Sequence, residues 1–221
     1  GGMVVRRRLL FCAAAGSALL FSACQAGTSS PPPPDTAGVE PYPVSEEGEE
    51  LLNAYGLSMN SGVFRFYLPD EECRLNIRVY RLAEDGSWEA ITGSSLYSDG
   101  EGGEFPDEGS LSLVFRNDQG IDKAVDFFHV TTSAIPGEMA GLPGVTAEDP
   151  LYWNDRVFLE DFIELPFDAE QPVALAGYCL RSNPVDTEIS LDQFFTPETL
   201  ADFDLVQAVT VKLTEGEEYE R

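Results

Sequence analysis

One imidazole, His129, stands in the 221-residue chain. A Ser-His-acid hydrolase would have to run through it, because the imidazole takes the proton from the nucleophile. No G-x-S-x-G elbow accompanies it. His129 also shares strand parity with Val125 and Phe127, which reads as a packed or edge histidine. That histidine and the cysteines at 12, 24, 73 and 179 offer no zinc-ligand spacing. Carboxylates are the abundant reactive group: 39 Asp and Glu face 13 Lys and Arg, for a net charge of −26. A pair of acids cleaves a glycosidic bond only when one is buried enough to stay protonated. Glu160, Asp161 and Glu164 lie inside apolar runs at positions that alternate toward water. Carboxylate-based hydrolysis of glycan or peptide therefore stands as the alternative function rather than the first.

Oxygen ligands cluster where a hard cation would take them, at Asp99 and Glu101 in the glycine-rich acidic stretch 93–109 and at the turn bearing Asp118 and Asp122. Neither has the D-x-D-x-D-G spacing of an EF-hand. A solvated loop is the stronger reading, and calcium is the one candidate cofactor. Aromatic residues offer stacking on sugar rings instead. Tyr97 beside the acidic stretch, and Tyr152 and Trp153 in the long connection 133–155, stand where loops of a β domain present ligands. Basic residues are distributed differently from acids. Arg65, Arg74, Arg78, Arg116, Arg181 and Lys212 lie in or beside predicted strands, and parity turns Arg65, Arg78 and Lys212 outward. Such a stripe grips an acidic glycan or partner, or else pairs with acids across strands. The overall charge excludes a nucleic-acid partner, since phosphate binding needs a basic face.

The first residues carry a different signal. Met3 reads as the initiator, Arg6, Arg7 and Arg8 as a positive leader region, and Leu9 to Ala23 as an uncharged apolar stretch too short to span a bilayer comfortably. The run Leu20-Phe21-Ser22-Ala23-Cys24-Gln25 resembles the lipobox of bacterial lipoproteins, with Phe21 standing where that family usually has an aliphatic residue. The resemblance implies cleavage before Cys24 and acylation of its sulfur, hence an extracytoplasmic protein anchored to the cell membrane. Each buried CH₂ of such a chain contributes about 0.8 kcal/mol. Residues 24–45, with prolines at 31–34, 41 and 43, read as a tether of extended polyproline geometry, on the order of 60 Å at full reach.

These chemistries need a scaffold, and the pattern from residue 46 to 215 supplies one domain followed by an acidic tail, 216–221. Ser45 with Glu46, Glu47 and Glu49 predicts a short capped helix through Leu52. Period-two alternation then predicts strands at 62–68, 74–80, 88–92, 111–115, 123–132, 156–165, 173–181 and 205–214. Asp85-Gly86 signals a two-residue hairpin. Residues 190–202 read as one or two helical turns broken by Pro197, and the prolines of 133–155 as an irregular connection. The expected class is all-β: a single antiparallel sandwich of about seven or eight strands, with a closed calycin-like barrel as the alternative. Cys73 and Cys179 either form a bridge or serve as small buried hydrophobes. A bridge closing about 100 residues stabilises by roughly 4.7 kcal/mol at most.

The functional expectation is a membrane-tethered, non-catalytic binding or interaction module whose partner, besides the membrane itself, is a glycan or an envelope protein. The remaining alternative to the hydrolase is a structural subunit of an envelope complex.

Overall fold

The computed structural model describes residues 36–55, 61–98, 108–117, 123–132, 138–141, 145–146, 151–180 and 182–216. In chain order they form β1 (Gly38–Pro41), α1 (Glu46–Ala54), β2 (Ser61–Tyr67), β3 (Cys73–Leu82), β4 (Trp88–Ser98), β5 (Glu108–Asn117), β6 (Lys123–Thr132), β7 (Glu138–Gly141), β8 (Val145–Thr146), β9 (Leu151–Phe158), β10 (Ile163–Glu164), β11 (Glu170–Leu180) and β12 (Leu205–Glu215). Two 3₁₀ turns, Leu191–Phe195 and Pro197–Leu200, precede β12. Eight of the strands are seven residues or longer and the other four are short.

The strands pair antiparallel in two open sheets. One runs β10-β1-β2-β5-β6-β7 with β8 also on β6, and the other runs β4-β3-β12-β11-β9. Because each sheet ends in edge strands, the all-β sandwich is the observed architecture and the closed barrel is set aside among the described residues. Alternation explains the layering. Val39, Phe64, Phe66, Leu111, Leu113 and Phe115 of the first sheet meet Leu75, Ile77, Val79, Tyr178, Val211 and Leu213 of the second in one buried cluster. Each such side chain contributes about 1.5–3 kcal/mol on leaving water. Gln207 shares this inward face, 1 % exposed, and its Oε1 has no hydrogen-bond partner among the described residues.

A second apolar cluster lies on the outer face of the five-stranded sheet. Ile189, Phe194, Leu200 and Phe203 of the 3₁₀ segment cover Leu175, Val206 and Ala208. The cover is fastened by polar bonds at its margins: Ile189 N donates to Asp155 Oδ2 at 2.8 Å and Trp88 Nε1 to the Phe194 carbonyl at 2.9 Å. It reaches over only half the face. The other half carries the site described below.

Several sequence expectations hold at the residue level. Ser45 caps α1, accepting from Gly48 N at 3.2 Å, and Pro197 opens the second 3₁₀ turn. Others are corrected. The tether read over 24–45 ends earlier, because Gly38–Pro41 pairs with both β2 and β10. The stretch 93–109 is not one loop: β4 continues through Ser98 and β5 begins at Glu108. The connection 133–155 contains β7, β8 and the start of β9. The β3–β4 hairpin turns through three residues rather than two. Ala83 N donates to Ser87 O at 2.8 Å and Gly86, at φ +82°, takes the left-handed position that this longer loop demands. The signal segment, Cys24, and the calcium candidates Asp99, Glu101, Asp118 and Asp122 lie outside the described residues.

Cys73 and Cys179 are buried thiols that are not joined to one another. Cys73 pairs with Glu215 at one end of β12, whereas Tyr178, next to Cys179, pairs with Leu205 at the other end. Ten residues of strand separate those ends by about 33 Å, against the roughly 7 Å that a bridge tolerates between Cα atoms. Alkylation in denaturant without reductant, followed by peptide mapping, is expected to label both Cys73 and Cys179. A disulfide-linked peptide pair would contradict this register.

Candidate functional site

Outward positions of three neighbouring strands build an elongated groove of about 560 Å³ on the uncovered half of the five-stranded sheet. Arg74, Asn76, Arg78 and Tyr80 line it from β3, Lys212 and Thr214 from β12, and Glu170 from the start of β11. Register brings them together: Thr214 is opposite Arg74, Lys212 opposite Asn76, and Glu170 opposite Lys212 on its other side. Asp168, Glu215 and Gly216 form the rim at one end. The lining thus holds three cations and three carboxylates in a chain whose net charge is −26.

The floor is a polar network. Thr210, fully buried, donates its hydroxyl to Glu170 Oε1, and Tyr80 donates its phenol to the same oxygen at 3.2 Å. These two bonds fix the Glu170 carboxylate, which is part of the groove lining. Asn76, 8 % exposed, donates to Thr214 Oγ1 at 3.0 Å and accepts from Ser95 Oγ at 2.7 Å. Such cross-strand bonds cost little and fix each group's direction. Tyr80 also closes the groove toward the apolar cover, its ring 5.9 Å from Phe194 and 6.5 Å from Trp88.

Two backbone features aim the charged groups. Gly93 lies opposite Arg78 on β4, and a Cβ there would stand 2.5 Å from both Arg78 Nη1 and the Ile77 carbonyl. The guanidinium occupies that space, donating to Ile77 O at 3.4 Å, and among the described residues it has no ion-pair partner. Asp168 is the one non-glycine residue with positive φ among the described residues, at 62°. Asp tolerates the left-handed region better than most residues, and strained positions gather at functional sites. Its N–H is tied to Leu213 O at 2.7 Å, which points the carboxylate to Lys212 Nζ, 3.7 Å away. The Asp168 side chain is 74 % exposed. An ion pair so open to water contributes about 0–1 kcal/mol and is readily exchanged.

Pro172 interrupts β11 two residues after Glu170. Lacking an N–H, it cannot complete a ladder bond, and the strand bulges there: Pro172 is opposite Thr210 and Ala174 opposite Val209, leaving Val173 as the extra residue. The bulge separates the open half of β11, with Glu170, from the covered half, with Leu175.

The sequence-predicted sites fare unevenly. The outward stripe exists, but it is divided between sheets. Arg78 and Lys212 meet in the groove together with Arg74, whereas Arg65 is on the opposite sheet, its guanidinium 4.8 Å above the Tyr42 ring and 3.4 Å from the Tyr67 hydroxyl. Tyr67 in turn donates to Glu40 Oε1 at 2.5 Å. Arg116 belongs to β5 of that same sheet, and Arg181 lies outside the described residues. Cross-strand ion pairing occurs at Arg81 and Glu89, 2.7 Å apart.

The aromatic candidates are on strands, not loops. Tyr97 sits in β4 opposite Arg74 and donates to Glu72 Oε1 at 2.6 Å. Tyr152 and Trp153 sit in β9 opposite Cys179 and Tyr178, eight residues of β11 away from Glu170. Glu160, Asp161 and Glu164 are exposed, as alternation implied. His129 lies in β6 between Ser112 and Met139. Sequence reasoning missed Glu170, Asp168, Thr210 and Thr214. Only the outward parity of 210, 212 and 214 could have flagged the threonines. No protein family, curated protein or solved structure is recognisably similar to the chain.

Burial, together with the charge of Glu170 and the bond to it, raises the Tyr80 phenol above its ordinary value of 10.0. The unfolded chain then loses this proton first, so the stabilisation is complete below pH 10 and is lost above it. Following the Tyr80 ring carbon by NMR is expected to show a titration above 10.0 that moves down in Glu170→Gln while staying raised by burial. A Tyr80 that titrates at or below the ordinary value in the wild type would refute the network.

Proposed function

We propose that this chain is a membrane-tethered, extracytoplasmic binding module, and that its ligand lies along the groove of the five-stranded sheet. The observation that carries the reading is the convergence of Arg74, Arg78 and Lys212 over a floor whose polar groups are already fixed by bonds to one another. A prepared lining of this kind favours holding a ligand, because few side chains remain to be ordered when it enters. Glu170 serves that role too: its Oε1 receives two hydroxyls from the protein, which holds the carboxylate in place in the lining.

The groove runs along the strand direction. From Arg74 to Tyr80 it spans six residues of β3, about 20 Å, which suits an extended chain better than a compact metabolite. The lipobox-like run ending at Cys24 supports the tether and the location. Between Cys24 and β1 about fourteen residues, rich in proline at 31–34, reach roughly 40 Å at 3.1 Å per residue. The anionic charge does not draw the protein to acidic lipid, so attachment falls to the acyl chains.

Two measurements test this reading. Metabolic labelling with an alkynyl fatty acid is expected to mark the wild-type protein in the membrane fraction and to leave Cys24→Ser unmarked. An unmodified Cys24, or a wild-type protein found in the cytosol, would overturn the location. Glycan and peptide arrays probed with the detergent-solubilised protein are expected to give binding that Gly93→Ala weakens by displacing Arg78. Binding that is indifferent to Gly93→Ala and to Arg78→Ala would place the ligand elsewhere.

A further inference from the structure

We infer that the ligand is an oligosaccharide bearing sugar carboxylates, and that one of these carboxylates replaces Asp168 at Lys212. The inference rests on the binding-module reading and adds the ligand's chemistry to it. The first argument is the spacing of the cations. Arg74 and Arg78 are four residues apart on β3, about 13 Å, and Lys212 stands opposite Asn76 midway between them. Positive charge therefore recurs along the groove about every 7 Å rather than continuously. Between the cations lie neutral groups that donate and accept, among them Asn76, Thr214 and Tyr80.

The second argument is the set of acceptors. Glu170, Glu215 and Asp168 in the lining accept hydrogen bonds from any donor a ligand brings and repel further anions. A densely charged polyanion is opposed by these three carboxylates and by the net charge of −26. An acidic peptide brings carboxylates that only accept, and its donors are confined to backbone N–H groups at fixed intervals. A saccharide brings hydroxyls that both donate and accept, and uronic or similar sugars add a carboxylate at intervals. That combination answers the cations and the acceptors together.

The third argument is Asp168 itself. It is the groove's own carboxylate at Lys212, held at the rim in a left-handed conformation, 3.7 Å from Nζ and mostly in water. A partner so weakly engaged is what an incoming carboxylate can exchange with. Asp168 then acts as an internal competitor, which sets a threshold that neutral sugars do not meet at this position.

Calorimetric titration of the detergent-solubilised full chain in EDTA buffer, with tetragalacturonate, its fully methyl-esterified form and tetraglutamate as probes, tests this. Tetragalacturonate is expected to bind, and the ester to bind about tenfold more weakly or less. Arg78→Ala and Lys212→Met are each expected to weaken tetragalacturonate about tenfold, with Lys212→Arg retaining most of the affinity. Asp168→Asn is expected to tighten tetragalacturonate a few-fold and to leave the ester unchanged, at unaltered melting temperature. Equal binding of acid and ester, preference for tetraglutamate, or no gain in Asp168→Asn would overturn the carboxylate assignment. In those cases the groove still stands as a binding site so long as Arg78→Ala weakens whichever probe binds. Failure of all three probes would overturn the ligand class, and indifference of any observed binding to Arg78→Ala would overturn the groove as well.

Discussion

Successive side chains of a strand leave its plane in opposite directions, so the pairing of β3 with β12 commits core and groove at once. Leu75, Ile77 and Val79 interlock with Val211 and Leu213 below the sheet, and the same register sets Arg74, Asn76 and Arg78 beside Thr214, Lys212 and Thr210 above it. A slip of one residue would turn arginines into the core and expose its aliphatic side chains. The apolar burial therefore defends the geometry of the polar face. The groove-lining groups are the reverse side of strands whose inward side chains are fully buried, so the folding energy of the core also sets their positions.

What the sequence disclosed follows from which interactions are local. Alternation is local, and it identified both the inward and outward members of β3, including the Arg74, Asn76, Arg78 and Tyr80 row that became one wall of the groove. Capping is local, and Ser45 was recognisable as a helix start. Pairing is not local. Parity gave Arg65 and Arg78 the same outward direction but could not say that they belong to different sheets. Glu170 preceded an apolar run and carried no mark of its own; only the β11–β12 register shows that it faces Lys212. The prolines at 136, 143 and 150 were taken to deny strand structure to 133–155. They fall one in each gap between β6, β7, β8 and β9, so they punctuate short strands rather than prevent them.

Local and global charge differ here: the groove lining is balanced, whereas the chain carries −26. The net charge of −26 gives the molecule a repulsive far field toward anions. Within the groove three cations stand against three carboxylates, so the near field differs from the far field. Screening shortens the far field to about 8 Å at physiological salt, whereas contacts inside a groove persist. On the proposed binding reading, a lining of this kind discriminates by arrangement rather than by attraction from a distance.

The position of β12 has a temporal consequence. It is the last strand in chain order, yet it occupies the middle of its sheet, between β3 and β11. Until residues 205–215 have been synthesised, β3 and β11 lack the strand that pairs with both, and neither the second half of the core nor the Lys212 side of the groove is in place. The first sheet can pair from β1 through β6 on its own, whereas the five-stranded sheet and the row of cations on it are completed by the strand that arrives after all the others described.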